Sequence, residues 1–320
     1  MALPHQAPSR LGQLNAAGDD RSLFLKLYAG EILTAFEERN IFLPLHRTRT
    51  ISKGKSASFP MVGTAIAKYH TPGTMIEADQ VKHGERVVTV DDLLISTQFI
   101  SSIDEAMNHY DVRSIYSKEA GFALANQMDK NIGRIIAKAS SITTKAKATT
   151  AGLTGVIDDE AYTNNITVGS GSATDVLNGS KIAQSIYDAL AEFDKKDVTG
   201  DKVCVLPPEQ YYALFNVTQS VNNLAYMNSD VGGSGSMSQG TVPVIGGVKI
   251  LMSNHMPQTN ETTSSGIEPI TSSRTGAYRS DYSKLVGLIF SADAAATVKL
   301  LDLGVESEYQ IERQIGRAHV

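Results

Sequence analysis

An α+β fold is what this sequence predicts, and three observations predict it. Apolar residues recur at helical spacing in three separate stretches. Short β-prone runs lie between those stretches and after them. The two kinds of segment alternate without the regular strand–helix–strand rhythm of a doubly wound sheet. The chain has 320 residues, 42% of them hydrophobic and 20% charged, so it carries enough apolar material for a large core and is not globally disordered.

Residues 1–20, rich in Ala, Pro, Gln and Gly, read as a flexible arm. Residues 21–39 place Leu23, Leu27, Ile32 and Phe36 near helical spacing, with Ser22 or Asp20 available as a cap. Residues 46–90 change character. β-prone runs at Phe59–Val62 and Val87–Val90 flank a Pro72-Gly73 turn, which predicts a long two-stranded excursion. Between Arg47 and Arg86 seven bases (Arg47, Arg49, Lys53, Lys55, Lys68, Lys82, Arg86) face three acids (Glu77, Asp79, Glu85), a local +4. The whole chain carries −5, so the remainder carries −9. A positive flap on an acidic body predicts contacts between copies. The plainer alternative is a solvated edge hairpin guarded by its lysines.

Residues 104–139 carry an apolar stripe that includes Met107, Phe122, Met128, Ile132 and Ile135. As one helix they would span roughly 54 Å. Gly121 and Gly133 each cost about 1 kcal/mol against Ala, which leaves two ordinary helices as the alternative to one strut. Residues 140–178 show no strong period and read as weak strands and loops. Residues 180–195 form a helix with Ile182, Ile186, Ala189, Leu190 and Phe193 on one face. Lys202–Leu206 reads as a buried strand, and Pro207-Pro208 opens a helix over 209–216. Residues 228–240 are a Gly/Ser loop, 242–252 a hairpin around Gly246-Gly247, and 257–280 loop again. Leu285–Phe290 is a buried strand, with a second β run near Val298.

The sequence holds no catalytic or metal signature. It lacks GxxxxGK[ST], HExxH, GxSxG and an EF-hand loop. GSGSATD (169–175) and GGSGSMSQG (232–240) both miss the third glycine of a dinucleotide loop. The seven histidines have no partner at i+3 or i+4, which excludes helical metal pairs. Asp91-Asp92 and Asp158-Asp159-Glu160 read as caps and solvated turns. His109 and Arg113, one helical turn apart, read as a polar ridge. The single cysteine, Cys204, sits in an apolar run and reads as a small buried hydrophobe. No window of 18 apolar residues marks a membrane span, and the start lacks the pattern of a secretory signal. Catalytic, cofactor and metal residues are accordingly expected to be absent. A net charge of −5 opposes a dedicated nucleic-acid binder.

Four blocks carry a family resemblance: LFLKLYAGEILTAF (23–36), SKGKSASFP (52–60), DEAMNHYDVRSI (104–115) and VGLIFSADAAATVKLLDL (286–303). In identity, order and spacing they resemble the major capsid proteins of short-tailed phages of the Autographivirus group, across about residues 18–313. The resemblance implies a Hong Kong 97-like phage capsid fold. In that frame 1–46 is the N-terminal arm and first helix, and 47–92 the extended β-hairpin loop. Residues 93–179 are the peripheral domain with its spine helix at 104–139, 180–294 the axial domain, and 295–313 the return to the peripheral domain. The last six residues, IGRAHV, read as the in-frame translation of a sequencing adapter. Residues 314–320 are therefore expected to be an adapter-derived tail, and Arg317 and His319 are left out of functional argument.

The resemblance implies a structural protein, not an enzyme, that self-assembles as hexamers and pentamers into an icosahedral shell around a double-stranded DNA genome. Its implied partners are further copies of itself, a scaffolding protein, a portal at one vertex, and DNA by non-specific contact, with no membrane. Its implied places are the virion capsid and, during assembly, the host bacterial cytoplasm. Lys53, Lys55 and Arg86 of the basic hairpin are the candidate inter-subunit contacts. An encapsulin-like nanocompartment shell is the alternative that shares the fold.

Overall fold

The computed structural model describes residues 40–63, 65, 67–76, 78–81, 83–90, 93–101, 113–143, 164–215, 244–263, 277–301, 304, 306–310 and 315–319. The arm and helix expected at 1–39, the start of the long helix at 104–112, residues 144–163 and the loop at 228–240 lie outside these. In chain order the strands are β1 (Arg47–Thr50), β2 (Ser56–Val62), β3 (His83–Thr89), β4 (Thr97–Ser101), β5 (Lys202–Leu206), β6 (Val244–Ile245), β7 (Val248–Met252), β8 (Leu288–Ser291), β9 (Ala296–Lys299), β10 (Glu306–Gln310) and β11 (Ile315–His319). The helices are α1 (Arg113–Ala139), α2 (Gly179–Lys195) and α3 (Pro208–Ala213).

The chain divides into two units. One comprises Met1–Pro44, Asp91–Asn131 and Leu301–Val320; the other comprises Leu45–Val90 and Ile132–Leu300, so α1 passes from the first into the second. In the first unit an antiparallel sheet of order β10-β11-β4 forms, with Tyr309 opposite Gly316 and Phe99 opposite Arg317. Gln98 of β4 donates to the Tyr116 carbonyl of α1 at 3.0 Å. On α1 the buried Asp129 accepts the Ile41 and Phe42 backbone N–H groups at 2.8 and 3.2 Å, and Phe42 is fully buried. A buried carboxylate needs such donors, and here they also hold the chain at residues 40–42 against the helix.

The core of the second unit lies under a four-stranded mixed sheet of order β6-β7-β5-β8. β5 runs parallel to β7 and antiparallel to β8. Ile182, Ala183 and Ile186 of α2 pack with Cys204, Leu206, Ile245, Val248 and Ile250 of the sheet and with Leu214 just beyond α3. That spacing puts one stripe of α2 on the sheet. Asn178 caps α2, its side chain accepting the Ser180 N–H at 3.1 Å. The helix ends in a Schellman arrangement: Val198 N–H reaches the Phe193 carbonyl, Asp197 N–H reaches the Asp194 carbonyl, and Asp197 takes φ +51°. α3 starts on Pro208, as expected, and stops at Ala213; residue 216 lies outside the described chain.

The described α1 is one helix of 27 residues through both glycines, as the single-strut reading expects and the two-helix alternative does not. Gly121 and Gly133 are both buried, so close packing offsets their helix penalty. Two expectations need revision. The described part of 140–178 holds no strand. Residues 164–178 form turns and a 3-10 turn at Asp175–Leu177, built around Asp175, which accepts from Ser170 N–H and Oγ at 2.7 Å each and from Lys181 Nζ. The late strand is Leu288–Ser291 rather than Leu285–Phe290.

The α1 residues of the second unit hold Glu261, Ala277 and Tyr282. Arg134 and Glu261 form a buried two-point ion pair at 2.7 and 3.0 Å. Tyr282 Oη donates to the Tyr278 carbonyl at 2.7 Å, and burial pushes its phenol up to about 12.

Candidate assembly site

The excursion of the second unit starts at β1. Its sequence RTRT is exposed throughout, yet it pairs in parallel with β9, Arg47 opposite Ala296 and Thr50 opposite Lys299. The buried His46 sets this register, its Nε2 lying 2.6 Å from Thr297 Oγ1. Arg47 pairs with Asp293 at 2.5 Å, and Arg49 donates to the Ser58 carbonyl at 2.8 Å. With Lys68, which pairs with Asp79 further along, at least three of the seven bases are engaged within the chain.

A tight turn at residues 52–55 follows, with Gly54 at φ +110° between Lys53 and Lys55. Both lysines are exposed, and the Val90 N–H closes on the Lys55 carbonyl at 2.9 Å. The two cations therefore stand at the base of the hairpin. β2 and β3 then pair antiparallel from Ser56↔Thr89 to Val62↔His83. The strand period divides the ribbon into two faces. Ala57, Phe59, Met61, Gly84, Arg86 and Val88 share one, and most are buried or half-buried. Ser58, Pro60, Val62, His83, Glu85 and Val87 share the other, which is exposed. Arg86 stands opposite Phe59, about 10 Å along the ribbon from the base. The three candidate contact residues are thus not one cluster: Lys53 and Lys55 mark the base, and Arg86 the half-covered face. Lys82 lies outside the described residues.

Beyond the ribbon the chain forms a lobe. Lys68 donates to Asp79 at 2.9 Å across it, and Thr74 N–H and Oγ1 both return to the Thr71 carbonyl, closing the Pro72-Gly73 turn. An exposed pair of this kind contributes about 0–1 kcal/mol, so it sets the lobe's register more than its stability. The lobe also carries bare apolar side chains. Tyr69 is fully exposed, Met75 90% and Ile76 78% exposed. Charge counting over 47–86 passed over them; the signal was three large apolar residues in an otherwise polar, turn-rich stretch.

Among the described residues no group of three His, Cys, Asp or Glu is placed to hold a metal ion. Cys204 is fully buried, and burial pushes its thiol up to about 12, which keeps it protonated and unreactive. Among the described residues no helix is long and apolar enough to cross a membrane.

The β2–β3 hairpin thus carries exposed basic side chains at its base and exposed apolar ones in its lobe. A family model for Gp10A-like major capsid proteins matches residues 58–320. The chain belongs to this family. It is 31% identical to the major capsid protein of Escherichia phage T7 over 303 residues, covering 91% of this chain and 84% of that protein. Its structure matches the capsid of cyanophage P-SCSP1u with a TM-score of 0.66 at 34% identity, over 98% of this chain and 93% of that one. The mature capsid of bacteriophage PhiM1 matches with a TM-score of 0.64 at 17% identity, over 88% and 81%, and shows the shared fold. The Hong Kong 97-like α+β fold is therefore the fold of this chain. This Gp10A-like protein is a structural, shell-forming component of a phage virion capsid and not an enzyme. The nanocompartment alternative is not favoured, because the sequence relatives are phage major capsid proteins.

Proposed function

We propose that the chain assembles as hexamers and pentamers into a closed icosahedral shell around double-stranded DNA. The shell would form in the host cytoplasm with a scaffolding protein and carry a portal at one vertex. The observation that carries this reading is the match over residues 58–320 to a major capsid protein family. Closed symmetry from one repeated set of contacts is how identical subunits bury their interfaces. In this reading residues 1–46 are the N-arm, 47–92 the extended loop over a neighbouring copy, 180–294 the axial domain, and 93–179 with 295–313 the peripheral domain.

The basic base of the hairpin would meet an acidic surface of the neighbour. Lys53, Lys55 and Arg86 would supply register and specificity more than affinity. The local +4 against −9 elsewhere supports that pairing. DNA contact would be non-specific and confined to the inner face. Sedimentation tests the reading: co-expressed with its scaffolding protein, the chain should run as a fast, uniform particle. A chain that stays at subunit size refutes it.

A further inference from the structure

We propose that the Asn178–Gly179 peptide is a deamidation site that the native fold holds silent and that opens whenever the start of α2 comes undone. It is the one Asn-Gly pair in the chain. Asparagine before glycine is the pairing most prone to spontaneous deamidation, because glycine has no Cβ to hinder its backbone nitrogen. In the reaction the Gly179 nitrogen gives up its proton and bonds to Asn178 Cγ. The side-chain nitrogen takes that proton and leaves as ammonia. Water then opens the five-membered imide at either carbonyl, giving aspartate or isoaspartate at 178.

Shape requires both residues of the pair. Asn178 caps α2, its Oδ1 accepting the Ser180 N–H at 3.1 Å and the Ser180 hydroxyl at 2.8 Å. Gly179 is buried, and a Cβ on it would lie 2.3 Å from the Ala213 carbonyl oxygen and 2.9 Å from Leu214 Cα. The end of α3 thus demands a glycine at the position next to the α2 cap. The packing that builds the core of the second unit is what places the labile pair there.

The same contacts block the reaction. Ring closure needs the Gly179 nitrogen turned in beside Asn178 Cβ, with the reacting atoms aligned. At φ −97° and ψ +112° that nitrogen is turned away. Turning it in would break the bond from Ile182 N–H to the Asn178 carbonyl, 3.0 Å long, and pull Gly179 off Ala213. The Asn178 N–H is fixed as well, to the Asp175 carbonyl at 3.1 Å. The reaction therefore runs only from chains whose α2 start is open, at a rate set by how often it opens.

The two products differ in consequence. Aspartate keeps the cap acceptor and adds a negative charge at the helix start, which the helix favours. Isoaspartate lengthens the backbone by a methylene and shortens the side chain by the same. The carbonyl that receives Ile182 and the oxygen that receives Ser180 then fall out of register. Chains that fold promptly keep Asn178; chains that linger open are marked and lose the cap.

The test incubates the full chain at one mildly alkaline pH, folded in buffer and unfolded in urea. The tryptic peptide ending at Lys181 is then mapped by mass and by isoaspartate methylation. In urea it should convert to both acids; in the folded chain conversion should be at least about tenfold slower, because it waits on local opening. Ser180→Ala removes one of the two bonds on Oδ1 and should speed the folded reaction several-fold while leaving the urea rate unchanged. Asn178→Asp should melt no lower than the wild type at neutral pH. Equal rates in buffer and urea overturn the inference, as does a peptide that keeps its amide in urea. A Ser180→Ala chain as slow as the folded wild type overturns the cap as the lock, and a lower-melting Asn178→Asp chain overturns the division between the products.

Discussion

Asp197 closes α2 in the left-handed region, where a Cβ meets the following carbonyl. Asp tolerates that conformation better than most residues but less well than glycine. Asp197→Gly should therefore raise stability by about 0.5–1 kcal/mol, read as a higher urea midpoint. A lower midpoint would mean the Asp side chain does something the cap geometry does not reveal. Asp175 behaves differently. The Lys181 ammonium, followed by the Ser170 N–H and hydroxyl, holds its carboxyl well below the usual carboxylate range. A depressed folded-state pKa contributes stability above the unfolded value of about 3.9, and that stability is lost as pH falls through the folded value. Asp175→Asn should lower the melting temperature at pH 7, and the gap to wild type should close as pH falls below about 4. A gap independent of pH would show that the loss is one of shape. Gly169 belongs to the same cluster: at φ +57°, an added Cβ would lie 2.5 Å from Asp175 Oδ2.

The elements show what the sequence could and could not carry. α2 was legible from its apolar stripe, Ile182, Ile186, Ala189, Leu190 and Phe193, whereas its Asn178 cap and its stop at Asp197 are known only from the structure. Ile186 is 2% exposed beneath the sheet, so Ile186→Ala should cost about 2–5 kcal/mol in urea unfolding. A cost below about 1 kcal/mol would place the core elsewhere. β5 was equally legible as a run of buried residues, and the β2–β3 ribbon was legible from its flanking β-prone runs. The β1–β9 pair was not. RTRT is polar and exposed, and its partner lies some 250 residues away, so only the tertiary structure creates the strand. The 3-10 turn at Asp175–Leu177 was hidden for a related reason. Its order comes from one carboxylate gathering donors across twelve residues, from Ser170 to Lys181, a pattern with no period. In α1 the sequence weighed Gly121 and Gly133 by their local penalty alone, and their burial outweighs it.

At the scale of the whole molecule, exposed charge and exposed apolar surface sit on the same excursion. Of the seven bases, Arg47 and Arg49 belong to β1, Lys53 and Lys55 to the base turn of the β2–β3 hairpin, and Arg86 to its second strand. Their placement as one contact group was beyond the sequence, because Lys53 and Lys55 flank the base turn while Arg86 stands on the ribbon's half-covered face. Lys53→Glu, Lys55→Glu and Arg86→Glu together change the local charge from +4 to −2. That reversal should block particle formation while the subunits keep their far-UV circular dichroism; unchanged particle yield would remove these three residues from the interface. No motif for a covalent crosslink is present, so particles boiled in detergent should run as single chains, and a ladder of multimers would contradict non-covalent closure. The central claim is that this chain closes into a symmetric shell. The most direct measurement is electron microscopy of the particles formed with its scaffolding protein. Uniform closed shells with sixfold and fivefold capsomers are the expected result; open sheets, irregular aggregates or isolated subunits would contradict it.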